Sequence, residues 1–285
     1  MQENRSSKKT TQKKPRLTQL RIDLGGDPQK TCRICGMEYV PSVPEDVALH
    51  KKFHAMNVGG VDFGRSFVKS SAGHSIWRSG TSDHDEEEMV LMVHRNSSVA
   101  ERNQTRRVLD VVDAELSAAA IEDDRLWGSI MTLEGNDTAA GVTESPGIGR
   151  KFGRYKVYLF IKGSRCIGLC LAERISKAYT VLDNSADDAV AIELSKTSVP
   201  SASSSVSLSK QTQSALLGVS RIWTSSSHRR KGIAWRLLQC ATHNFVYGMD
   251  VPKELVAFSQ PTASGLGLAT RWFGSGQPCR VYIEQ

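Results

Sequence analysis

Cys32, Cys35, His50 and His54 constrain the fold more than any other feature of the chain. Two residues separate the cysteines, fourteen lie between Cys35 and His50, and three separate the histidines. Two thiolates and two imidazoles at these spacings suit a closed, tetrahedral zinc site. The intervening residues complete a ββα finger. Tyr39 and Val47 stand where such fingers keep their small core. Pro44, Glu45 and Asp46 suit the first turn of a helix, and His50 and His54 then share one face at i, i+4. A chance spacing would have to account for all of these matches together. One finger reads only about three base pairs, too few to specify a genomic site, so a structural or protein-docking role is expected.

A second stretch, Leu217 to Tyr247, combines three signals. Val219, Ile222 and Trp223 read as a strand, and Ser225 to Gly232 as a small basic loop. Ile233, Leu237, Leu238, Ala241, Phe245 and Val246 then recur at helical spacing. Strand, loop and helix N-terminus together make an anion cradle, because open backbone N–H groups and the positive end of the helix dipole meet at one spot. Taken alone, Arg229 to Ala234 also fits an ordinary solvated turn ahead of a surface helix.

The chain has 285 residues, 39% of them hydrophobic, enough for one sizeable domain with appendages. Its +7 net charge is partly local: Arg5 to Arg21 holds seven Lys or Arg and no acid. Such a tail suits nucleic acid or an import receptor. No run of about 18 apolar residues occurs, so no membrane span is expected, and the basic N-terminus lacks the apolar core of a secretory signal. Six cysteines without such a signal point to reduced thiols and metal binding.

Residues 1–30 read as a disordered basic tail, 31–56 as the finger, 57–88 as a linker and 89–285 as the main domain. In the tail, Gln19 followed by Ile22 resembles a degenerate peptide for the PCNA sliding clamp, without the usual aromatic pair. Met89 to Val93 reads as a strand, Ser98 as the cap of an amphipathic helix to about Ala120, and Tyr155–Ile161 with Cys166–Ala172 as a hairpin. Cys166 and Cys170, four apart, are expected on one face as small buried hydrophobes. Residues 184–214 are rich in Ser and Asp and read as a disordered insertion.

Helix, hairpin, strand, basic loop, helix and the strand at Leu255–Phe258 resemble the α+β GNAT acetyltransferase fold, with Arg229 to Ala234 standing for its R/Q-x-x-G-x-G/A signature. The match becomes closer at Cys166–Ile175, Gly218–Trp223, Asn244–Gly248 and Ala257–Thr262. These motifs, with a single finger upstream, resemble the sister-chromatid cohesion N-acetyltransferases. The resemblance implies a nuclear, chromatin-associated enzyme that moves acetyl from acetyl-CoA to lysines of the cohesin SMC subunit head. It also implies that Ile222, Trp223 and Thr224 present strand backbone to the acetyl and pantetheine groups. Arg229, Arg230, Lys231, Gly232, Ile233, Ala234 and Trp235 would cradle the pyrophosphate, and Thr262, Ala263 and Ser264 would touch the cofactor from the other side.

A lysine amine has a pKa near 10.4, so the neutral nucleophile lies roughly 4 kcal/mol above the ammonium at neutral pH. Some group must take the proton, and some donor must hold the oxyanion. The family often places carboxylates where this chain has Gln239 and Gln260, and glutamine is no base. Positioning by Ser220, Gln260 and Gln239 with proton loss to water is one expectation; entry of Asp250 or Glu254 is another, and a carboxylate supplied by the substrate a third. The alternative function is a zinc-finger adaptor for chromatin or the clamp, whose acetyltransferase fold no longer turns over.

Overall fold

The structure is a computed structural model and describes residues 29–79, 86–132, 150–182, 189–192, 206–259, 261–274 and 278–284. The tail with Gln19, the loop about Gly141 to Gly149, the triple serine at Ser203 and Gln260 lie outside the described residues.

In chain order the elements are β1 (Lys30–Thr31), β2 (Glu38–Tyr39), α1 (Pro44–Gly59), β3 (Val61–Asp62), α2 (Arg65–Ser71), β4 (Ser75–Arg78), β5 (Glu88–Val93), α3 (Val99–Leu116) and α4 (Asp123–Leu126). There follow β6 (Ser129–Thr132), β7 (Arg150–Gly153), β8 (Tyr155–Lys162), β9 (Arg165–Arg174), β10 (Lys177–Leu182), β11 (Ala189–Ile192) and β12 (Val206–Ser214). The last are β13 (Leu217–Thr224), α5 (Ile233–Asn244), β14 (Val256–Ser259), α6 (Ala263–Phe273) and β15 (Arg280–Tyr282).

One sheet carries the domain, in the order β11-β12-β10-β15-β14-β13-β9-β8-β5-β4, with β3 added to β9. The β8–β9 hairpin is where alternating apolar residues predict it. Leu217, Val219, Cys170 and Ala172 on one face meet Leu237 and Leu238 of α5, Phe245 just past its end, and Trp272 of α6. Leu91, Leu159, Leu169 and Leu171 on the other face meet Val108, Leu109 and Val112 of α3. Gly168 lets α5 come close, since a Cβ there would sit 2.7 Å from the Ile233 side chain. Ser98 caps α3 through a capping box with Glu101, and Ser117 ends the helix in the left-handed region.

Three expectations change. The segment 57–88 is more than a linker: α1 runs to Gly59, β3 joins the sheet, and Val61 and Phe63 are buried in its core. Within 184–214, β11 and β12 extend the sheet from β10. β12 is hidden by its polar run and β11 by its length of four residues. Cys166 and Cys170 face opposite sides, one in each core. A register shift between Phe160 and Ile161 inserts a residue opposite β8, which reverses the parity of β9. Both thiols are buried and pushed up to about 12 by burial.

Candidate acyl-transfer site and metal centre

The ligand atoms of Cys32, Cys35, His50 and His54 all lie within 4.8 Å of one another. Pro44 opens α1 and Glu45 and Asp46 fill its first turn, so both histidines come from one helix. Tyr39 stacks on His50 at 4.1 Å. The His50 Nε2 is buried without a hydrogen-bond partner, which a metal ion would relieve. Backbone N–H groups of Cys35 and Ile34, with His50, lower the Cys32 thiol to about 5, toward the thiolate that zinc requires. The donor set fits tetrahedral zinc.

The second site lies where β13 and β14 part. Among the described residues these parallel strands pair at Leu217–Val256, Gly218–Ala257 and Val219–Phe258. Beyond Val219, β13 stays paired with β9 on one side, through Thr224 with Gly168, while its other edge leaves the β14 ladder. A bulge between Val219 and Arg221 puts Ser220 at this fork. Its carbonyl accepts from Ser259 Oγ at 2.8 Å. Its hydroxyl donates to Glu284 Oε1 at 2.6 Å. The buried Arg221 donates through Nε to Asp113 at 3.1 Å and through Nη1 to Glu284 at 2.7 Å and to Ser220 Oγ at 3.0 Å.

Downstream, Ser225 is fully buried and hydrogen-bonded to His228 Nδ1 at 2.9 Å. Burial, then Lys231 and Lys162, hold His228 below its ordinary pKa, so it braces the loop as a neutral ring. Arg229, Arg230 and Lys231 are exposed. Arg230 has a positive φ of 62°, as has Gly232 at 80°, a conformation that glycine adopts without strain. No side chain caps α5 and no acid sits in its first turn. Its first N–H groups and the three cations therefore suit a phosphate. The contrast with the capped, acid-bearing start of α3 is plain.

The finger's helix reaches this loop. Ser227 Oγ donates to the Val58 carbonyl at 2.6 Å. Glu115 of α3 accepts from Asn57 Nδ2 at 2.5 Å, from the Trp223 indole at 2.5 Å, and from Arg229.

The fold thus brings Ile222, Trp223 and Thr224 to the fork and Arg229 to Trp235 to the start of α5. Trp235 also packs on Trp272, 4.8 Å between rings, with Lys253 over both. Thr262 caps α6, accepting from Gly265 N–H, and Ser264 is exposed in its first turn. Gln239 is not brought to Ser220. Its amide oxygen accepts from Arg236, whose guanidinium lies over Trp77 of β4, at the far end of the sheet. Asp250 and Glu254 precede β14, at the end away from the fork. Cys240 is buried and pushed up to about 11 by burial, so it is no thiolate. Sequence reasoning missed Glu284, Asp113 and Glu115. Each is an ordinary-looking acid until the fold sets it against β13.

Two family models match. Residues 213–282 match the one described as ESCO1/2 acetyl-transferase, and residues 19–56 the one described as zinc-finger of acetyl-transferase ESCO. The two matches fall in the order that the sequence motifs suggest, finger first and acetyltransferase segment after it. It is 32% identical to N-acetyltransferase eso1 of Schizosaccharomyces pombe, over 91% of this chain and 25% of that protein. Against N-acetyltransferase ESCO2 of Danio rerio the identity is 31%, over 94% of this chain and 38% of that protein. With N-acetyltransferase ECO1 of Saccharomyces cerevisiae it is 25%, covering 95% of this chain and 94% of that protein. The chain thus spans 25% and 38% of the length of the first two of these relatives. Two solved structures of the xEco2 acetyltransferase domain, one bound to a CoA conjugate, are similar at 24% identity. Their TM-scores are 0.48 and 0.46, over 71% of this chain and 94% and 93% of those chains.

Proposed function

We propose that the chain transfers acetyl from acetyl-CoA to lysine ε-amines of a protein substrate. The observation that carries this is the fork: β13 leaves β14 after Val219, and the same strand runs on into an uncapped helix start flanked by three exposed cations. Strand backbone at Ile222 to Thr224 would hold the acetyl and pantetheine groups, with an N–H directed at the carbonyl oxygen. A preorganised donor aimed at a developing oxyanion contributes about 3–4 kcal/mol. Arg229 to Trp235 would hold the pyrophosphate, and Thr262 to Ser264 would close the cofactor's other side.

A groove of about 510 Å³ lies beside the start of β13, lined among others by Arg154, Glu173, Arg174, Lys177 and Tyr282. It suits an extended acceptor segment. The substrate we assign is the head of the cohesin SMC subunit, acetylated on nuclear chromatin during S phase to establish sister-chromatid cohesion. The similarity to N-acetyltransferases and to the two ESCO family models supports the acetyl-transfer part of this reading. Zinc would fix the finger as a docking element, and the basic tail would add PCNA or DNA contact.

Incubation of the full chain with acetyl-labelled acetyl-CoA and a purified cohesin head domain tests the proposal. Label is expected on substrate lysines and on the chain itself. Cofactor binding without any transfer would favour a non-catalytic adaptor instead. Loss of PCNA capture in Gln19→Ala would confirm the clamp peptide.

A further inference from the structure

We propose that Glu284, acting through the Ser220 hydroxyl, receives the proton of the substrate ammonium. The inference rests on the acetyltransferase reading above. A base is required at the fork, and the residues first considered do not supply one: Gln239 is turned to Arg236, and Asp250 and Glu254 lie before β14. Glu284 comes from two residues past β15. Tyr282 pairs with Ser259, so the chain beyond it crosses the end of β14 and reaches β13. There Glu284 Oε1 stands 2.6 Å from Ser220 Oγ, a separation typical of a hydroxyl donating to a carboxylate.

The charges around the pair favour this role. Arg221 faces Glu284 from β13, and Asp113 of α3 faces the same guanidinium. One cation thus stands between two carboxylates, and the cluster keeps a formal negative charge for an incoming ammonium. Tyr282, two residues before Glu284, turns its hydroxyl to Glu173 at 3.0 Å, where Arg154 is paired as well. These groups are therefore engaged with each other. The Glu284 side chain is 28% exposed while Arg221 is 7% exposed, which gives the proton an exit to solvent on the Glu284 side alone.

In the step, Ser220 Oγ takes a proton from the lysine nitrogen as its own proton passes to Glu284 Oε1. The freed nitrogen pair forms the C–N bond to the acetyl carbon, and the C–S bond breaks. The second nitrogen proton goes to the departing sulfur, and Glu284 gives its proton to water. Glu284 acts through Ser220, so it is a positioning and relay residue.

The test compares the full chain with Glu284→Gln and Glu284→Asp. Acetyl-CoA affinity is read by calorimetry, melting temperature by scanning, and transfer to a lysine peptide between pH 6 and 10. Glutamine keeps both hydrogen bonds and cannot take the proton. Glu284→Gln is expected to lose about 10²-fold or more in kcat, with unchanged acetyl-CoA affinity. Its rate should then climb about tenfold per pH unit toward the lysine's own pKa of about 10.4, where the parent levels off. Glu284→Asp should restore part of the rate. A Glu284→Gln rate equal to the parent's, or one lowered with the same pH profile, would overturn the relay. If the parent binds acetyl-CoA and transfers nothing, the acetyltransferase reading fails first and the relay falls with it.

Discussion

Two acid-anchored clusters lie along β13, two residues apart, and both draw their acid from the last turns of α3. At the fork Asp113 holds Arg221, which also holds Glu284 and Ser220. At the loop Glu115 holds Trp223, Asn57 and Arg229. The first cluster buries a full guanidinium and keeps excess negative charge beside the place where an ammonium must lose a proton. The second buries neutral donors and leaves its one cation, Arg229, half in water at 53% exposure. One helix thus serves chemistry with Asp113 and assembly with Glu115. A single strand connects them, so under the proposed function neighbouring side chains of α3 would set both the acyl end and the phosphate end of the cofactor.

The largest effect should come from removing the shared cation. Arg221→Met leaves the side chain of Asp113 buried with an unpaired charge and removes the donor to the Ala119 carbonyl. Breaking a buried pair in this way costs about 3–5 kcal/mol. Urea unfolding should show that loss, with acetyl transfer abolished. A stability change within 1 kcal/mol, by contrast, would mean that the fork cluster does not hold the sheet.

The architecture was legible where local chemistry decides it. The finger's ligands, the Ser98 cap, the β8–β9 hairpin and the loop before α5 all follow from residue type and spacing. The additions to the sheet were not legible. β12 carries the polar run Ser209 to Ser214, and β3 has only two residues, so neither shows a strand period. The candidate site was half legible for a related reason. Backbone and loop positions such as Ile222 and Gly232 come from one continuous stretch, whereas Asp113, Glu115 and Glu284 reach it from 108, 108 and 64 residues away in the chain. Spacing rules carry no information over such distances.

Glu115→Ala should rank second. It leaves the Trp223 indole N–H and the Asn57 amide without their acceptor. Unsatisfied buried donors cost about 1–3 kcal/mol each, so a stability loss of roughly 2 kcal/mol is expected. Arg229 would lose its anchor as well, and acetyl-CoA affinity should weaken several-fold by calorimetry. Zinc chelation should weaken it by the same route, because α1 carries Asn57 and the Val58 carbonyl that Ser227 grips. If that route is shared, chelation should add little in the Glu115→Ala variant, since coupled changes are not additive. Full additivity would separate the finger from the cofactor loop.

The smallest effect is expected at Gln239, which belongs to neither cluster. Its amide oxygen meets Arg236, and Arg236 lies 4.7 Å from the ring centre of Trp77 on β4. Three strands, β9, β8 and β5, stand between β4 and β13. Gln239→Ala removes one partly exposed hydrogen bond, worth about 1 kcal/mol or less, and leaves Ser220, Glu284 and the loop as they are. Turnover should stay within about twofold of the parent, with the pH profile unchanged. The resemblance to the cohesion N-acetyltransferases implies an acid at position 239, where this chain has glutamine. Its side chain here serves the packing of α5 on the β4 edge. A tenfold loss of kcat in Gln239→Ala would return the proton's path to α5 and away from the end of the chain.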